Sequence, residues 1–275
     1  DMHKRGMFVA LLIGLLGAGL SDAASSFNHH TLDSDAKTAL YELGVGIADA
    51  TGPISDVVMM GMANAAQINA GIHTRLWARA LAAHDPTTGK RFVFVSLDAG
   101  MGGIVLKNRV VKELATRLPG MYTDDNVGIS GTHTHSGPSG FLQDTIFQFA
   151  GSGWQPHTIK AMVDGVVESI MKAHNNLAPA KASIAVGEVR NASINRSPSA
   201  YLLNPEIERA QYTGDTDLNM TVLRIDSATD SKPLGMFTWF AVHPTSMNNT
   251  NLLVSGDNKG YASYVVEKMY NGATA

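Results

Sequence analysis

The side chains best suited to chemistry are two imidazoles one residue apart, His133 and His135, in the stretch "GTHTHSGP". An apolar, alternating run from Asn126 to Ser136 carries them and reads as a strand. Residues two apart on a strand share a face, so both rings are expected on one side and Thr132 and Thr134 on the other. Such a pair can chelate one metal, because neutral imidazole is the commonest metal ligand. Alternatively, one ring binds the metal while the other meets substrate. Acid/base catalysis and an ordinary hydrogen-bonded polar pair suit the same residue types. Gly137, Pro138 and Gly140 follow and leave little side-chain bulk, so a substrate can approach the backbone there.

Three further places offer functional groups. His243 closes the apolar run "TWFAV", and Pro244 stops strand pairing directly after it. Histidines at the ends of two buried strands form a recurring arrangement, a loop-borne site on a rigid sheet. Arg196 lies in the turn-rich segment "NASINRSPSAYLLNP". Its guanidinium is a fixed fork of donors for a carbonyl or hydroxyl, or simply a solvated surface charge. Asp98, in "VSLDAGM", can orient a metal-bound histidine from behind or cap a helix. Arg75 and Arg79, four apart, are expected to share a helix face. His73 reads as structural, and Gly44-x-Gly46 is too short for a dinucleotide-binding fingerprint.

The elements that must position these groups follow from hydrophobic spacing. Phe92 to Gly100 is a β-branched and aromatic run, hence a buried strand. Asn108 to Gly120 reads as a short amphipathic helix closed by Pro119-Gly120. Gln155 to Leu177 is the longest helix, with Ile159, Met162, Val163, Val166, Val167 and Ile170 at helical spacing. Lys181 to Arg190, Leu218 to Asp226 and Pro233 to Pro244 read as strands. A last helix follows Ser255 or Asp257, either of which can cap it. The alternation predicts a mixed, layered α/β fold.

Composition narrows the function. The sequence has 275 residues, 44 % hydrophobic and 16 % charged, with net charge −3. It has no long basic run, which argues against nucleic-acid binding. It has no cysteine, so any metal must be held by His, Asp, Glu, Tyr or backbone oxygen. Lys4 and Arg5 precede the apolar run Met7 to Leu20, followed by small residues around Ser21 and Ala23. Residues 1–23 are therefore expected to be a secretory signal peptide, with an uncleaved membrane anchor as the alternative.

The motifs "SGTHTHSGPSGFLQD", "INRSPSAYLLNP" and "WFAVHPTSMNNTNLLVSGDNKGYAS" together resemble the neutral/alkaline non-lysosomal ceramidases. The resemblance also covers "GVGIADATGP" and "VSLDAGM". It implies zinc-dependent hydrolysis of the ceramide amide bond to sphingosine and a fatty acid, at or near a membrane surface. It implies zinc ligation by His133 and His243, with His135 and Arg196 lining the site toward the substrate. Residues 24–275 would be the N-terminal part of the catalytic domain. The family's remaining zinc ligands, a glutamate and a tyrosine, its catalytic serine in "GDVSPN" and its immunoglobulin-like domain are expected further along. On that expectation the 275 residues alone are inactive. Leu252 stands where the family often has histidine. Another metal-dependent amidohydrolase, with both histidines of the pair on the metal, is the alternative enzyme; a lipid-binding protein without activity is the non-enzymatic one.

Overall fold

The computed structural model describes residues 27–28, 41–270 and 272–275. The expected signal segment, and with it His29 and His30, lies outside them. In chain order the elements are β1 (Phe27–Asn28), β2 (Tyr41–Asp49), β3 (Ser55–Val58), β4 (Ile68–Ala70), β5 (Trp77–His84), β6 (Arg91–Leu97), α1 (Ile104–Arg117), β7 (Val127–Gly131), α2 (Thr145–Ala150), α3 (Pro156–Asn175), β8 (Ala178–Glu188), α4 (Pro198–Leu202), α5 (Glu206–Arg209), β9 (Asn219–Ser227), β10 (Pro233–Phe240) and α6 (Asp257–Met269). The fold is mixed α/β, as the sequence alternation predicts.

Two compact units divide these elements, and β8, β9 and β10 each pass from one to the other along the chain. In the larger unit the strands pair in the order β8-β2-β5-β6-β7. β2 runs antiparallel to β5 from Glu42↔His84 to Asp49↔Trp77, β5 antiparallel to β6, and β6 parallel to β7. On one face of this sheet Ala78, Ala80 and Ala82 of β5 stand opposite Leu97, Val95 and Val93 of β6. All six are fully buried. The helical spacing read in α3 places Ile159, Met162, Val166, Val167 and Ile170 in the same core, with Leu106, Val110 and Leu114 of α1.

Small residues let α3 lie directly on the sheet. A Cβ at Gly44 would fall 2.0 Å from the carbonyl oxygen of Ala173, and one at Gly46 2.3 Å from that of Ser169. Lys172 and Asn176 then donate to the carbonyls of Ile47 and Val45 at 3.0 Å each. The two glycines of "GVG" thus serve helix packing.

Two sequence readings are corrected. Arg75 and Arg79 share no helix face: Arg79 is in strand β5, and Arg75 precedes it and pairs with Asp49 at 2.7 Å. The strand expected through His135 ends at Gly131. Its parallel ladder with β6 stops at Leu97↔Gly131, and the chain turns away there.

The smaller unit holds residues 183–224 and 237–243, with β1. Its strands follow the order β10-β9-β8, and β1 pairs antiparallel with β8 at Phe27↔Gly187. The short helices α4 and α5 lie between β8 and β9.

Candidate functional site

His133 and His135 do come together, although not on the face of a strand. After β7 the chain is held by the segment that follows β6. Thr132 N–H donates to Leu97 O at 2.8 Å, and His133 N–H to Ala99 O at 2.9 Å. His133 takes a left-handed backbone conformation, φ 71°, which is uncommon outside glycine and concentrated at functional sites. This turn swings the two rings edge to face, with centroids 4.8 Å apart and planes at 84°. Their Nε2 atoms are 3.3 Å apart.

The tautomer of His133 follows from its other nitrogen. Nδ1 lies 2.5 Å from the carbonyl oxygen of Gly100. A carbonyl only accepts, so Nδ1 carries the proton and the neutral ring's lone pair is on Nε2, facing His135. His135 is 5 % exposed, and its ring lies against the backbone of Gly61. A Cβ there would come 2.5 Å from the ring's Cγ, and Gly61 itself has φ 122°.

This donor set fits a metal ion. Two nitrogens bonded to one tetrahedral zinc at about 2.0–2.1 Å stand about 3.3–3.4 Å apart. A metal-bound imidazole also characteristically donates its second N–H to a backbone carbonyl or carboxylate, which fixes the ring. His133 makes that bond to Gly100.

Buried hydroxyls tie the loop to the segment before α6. Thr134 Oγ1 donates to Ser255 O at 2.7 Å, and Ser255 N–H donates to Ser136 O at 2.9 Å. Asn251 Nδ2 reaches Ser136 Oγ at 3.1 Å. Ser255 Oγ accepts from Asp257 N–H at 3.1 Å and from Thr74 Oγ1 at 3.4 Å, and lies 3.3 Å from His73 Nδ1. Neither expected residue is the N-cap of α6, which is Gly256 without a side-chain cap bond; Asp257, the first helical residue and itself at φ 55°, instead accepts from the N–H groups of Ser246 at 3.2 Å and Met247 at 3.0 Å. It thereby shapes the loop that follows Pro244.

Asp98 neither caps α1, whose N-cap is Gly103, nor bonds a histidine. Its Oδ2 accepts from Trp77 N–H at 3.0 Å and from Arg79 Nη1 at 2.9 Å. Burial alone would lower the pKa of the Arg79 guanidinium; Asp98 and Glu267 more than offset this and raise it.

The other two predicted site residues belong to the smaller unit. His243 lies just beyond β10 and is exposed; Arg196 is exposed in the turn before α4. That turn is shaped by Asn195, whose Oδ1 accepts from Ser197 N–H at 2.8 Å. Sequence reasoning missed Gly61 and Gly100, and named Ser255 only as a helix cap. Only glycine in an otherwise apolar "MMGMAN" hinted at the first. The second acts through a carbonyl, which every residue has.

A layered α/β sheet that aims a histidine pair, with His133 locked in one tautomer, from a strand-end loop defines a candidate metal-binding protein. Comparison with known proteins makes this specific. Residues 41–275 match the family model described as neutral/alkaline non-lysosomal ceramidase, N-terminal, and the chain belongs to that family. It is 48 % identical over 234 residues to the neutral ceramidase of Drosophila pseudoobscura pseudoobscura, covering 85 % of this chain and 33 % of that protein. It is 47 % identical over 236 residues to neutral ceramidase 1 of Arabidopsis thaliana, covering 86 % and 30 %. The crystal structure of the neutral ceramidase from Pseudomonas aeruginosa superposes with a TM-score of 0.80 at 42 % identity, over 84 % of this chain and 36 % of that one. The chain thus spans about a third of the length of these relatives.

Proposed function

We propose that the protein bearing this chain hydrolyses the amide bond of ceramide, releasing sphingosine and a fatty acid, with zinc as its metal. The observation that carries this reading is the His133 ring. Its proton is fixed on Nδ1 by Gly100 O at 2.5 Å, and its Nε2 faces a second imidazole nitrogen at 3.3 Å. Family membership supplies the substrate class.

In this reading His133 and His243 hold the metal, and His135 and Arg196 face the substrate. Bound zinc supplies Lewis acidity toward an amide carbonyl, a poor electrophile by itself. His135, buried against Gly61, holds or passes a proton at the reacting centre. Arg196 offers its guanidinium fork to the oxygen that gains charge as the carbonyl is attacked. Ceramide is a membrane lipid in chemistry, so the protein acts at a membrane surface; the segment 1–23 directs it out of the cell. No described helix is long and apolar enough to cross a membrane.

The test is turnover of a fluorescent ceramide by the purified protein. Hydrolysis that a zinc chelator abolishes and added zinc restores is expected. Undiminished hydrolysis in chelator, or lipid binding without hydrolysis, would overturn the reading. A second reading has support from the 3.3 Å spacing: both His133 and His135 ligate the metal, as in another class of metal-dependent amidohydrolase. Under that reading His135→Ala loses zinc, whereas under the first it retains it.

A further inference from the structure

A buried ion cluster adjoins the segment that holds His133, and the proposed chemistry does not use it. Arg79 and Asp98 are each 1 % exposed. Nη1 of Arg79 reaches Asp98 at 2.9 Å, and its Nε reaches Glu267 of α6 at 2.7 Å. Replacing buried ions by apolar side chains of similar volume is often neutral or stabilising, so stability is a weak reason to keep them. The cluster is also imperfectly satisfied: Arg79 Nη2 and Asp98 Oδ1 are buried with no hydrogen-bond partner among the described residues. Such cases call for an explanation.

Its place in the chain supplies one. Asp98 is the first residue after β6. Its N–H donates to Trp77 O at 2.9 Å, and its carboxylate accepts from Trp77 N–H at 3.0 Å as well as from Arg79. Backbone and side chain are therefore both fixed at this residue. The carbonyls of the next two residues are the ones that hold His133: Ala99 O takes its N–H at 2.9 Å, and Gly100 O takes its Nδ1–H at 2.5 Å. Leu97 O, just before, takes Thr132 N–H at 2.8 Å. Residues 97–100 are thus a template for residues 132–133, with Asp98 as its one charged anchor.

We infer that Asp98, clamped by Arg79 and through it by Glu267, is a positioning residue for His133: it sets the Nδ1–H tautomer and the direction of Nε2 through the carbonyls of Ala99 and Gly100. The reason the ring must be aimed rests on the metal reading above; the positioning itself does not.

Two measurements on the full chain test it. Long-range proton–nitrogen NMR of the metal-free protein at pH 8 reports the His133 tautomer, assigned by the signals missing in His133→Ala. Competition with a chromophoric chelator reports zinc affinity. Wild type is expected wholly in the Nδ1–H form. Asp98→Asn keeps the shape and an oxygen for Trp77 but gives up the charge. It is expected to show mixed tautomers and about 10- to 100-fold weaker zinc binding, the usual range when a group behind a metal ligand is changed. Glu267→Gln, at the edge of the cluster, should shift both readouts the same way by less. A folded Asp98→Asn protein with wild-type tautomer and affinity overturns the inference. If Asp98→Asn does not fold, Glu267→Gln decides, and unchanged tautomer and affinity overturn it. A wild-type protein that binds no zinc defeats the metal reading instead, while the tautomer comparison still decides the positioning.

Discussion

At the scale of single residues the two histidines have different surroundings. His133 is fixed by a carbonyl on Nδ1, which suits a ligand. His135 is held by packing against Gly61, and its Nε2 faces that of His133 at 3.3 Å. His135→Ala is therefore expected to keep the metal while kcat falls about 100-fold or more, the usual contribution of a positioned acid or base. Parallel metal analysis and steady-state kinetics check this; an unchanged kcat would remove His135 from the chemistry. Gly61→Ala places a methyl group 2.5 Å from the His135 ring, on a backbone with φ 122°. It should destabilise the fold by about 1–3 kcal/mol and lower kcat by displacing the ring. Urea unfolding and turnover measure the two effects, and wild-type values in both would refute the cradle.

At the scale of elements, legibility in the sequence depended on whether local pattern or tertiary packing decided the outcome. Helix α3 was plain because Ile159, Met162, Val166 and Ile170 keep helical spacing. Strand β6 was plain because "FVFVSL" has little use except as a buried strand. Strand β5 was not: "RLWARALAAH" is rich in helix formers, yet it lies between β2 and β6. There its alanines leave room for α3, and packing overrides propensity. The histidine pair was legible as a pair, since any local geometry keeps i and i+2 near each other. The left-handed turn at His133 was not, because no glycine, asparagine or aspartate marks it. The role of Asp98 stayed open between two readings; its partner Arg79 is 19 residues away, and Glu267, the second partner of Arg79, is 188 residues from Arg79, beyond the reach of local pattern. The packing of α3 on β2 gives an element-scale prediction. Gly46→Ala, whose Cβ would meet Ser169 O at 2.3 Å, should cost about 1–3 kcal/mol or more. A urea midpoint equal to wild type would contradict the close approach.

At the scale of the whole molecule, pH adds a prediction independent of the metal. His174 has its pKa lowered, first by burial and then by Arg91 and His84. Its ring lies 3.1 Å from Tyr122 OH. The unfolded chain, with an ordinary histidine pKa of about 6.5, then binds more protons than the folded one, so stability falls as pH drops below about 6.5. His174→Gln should flatten the stability profile from pH 7 to 5, read by denaturant midpoints; a profile as steep as wild type would exclude His174 as a source. The larger claim is that His133 is a metal ligand, its ring aimed by the carbonyl of Gly100. Elemental analysis of the purified protein tests it most directly. About one zinc per wild-type molecule and none in His133→Ala is predicted; equal zinc content in the two proteins would contradict the account.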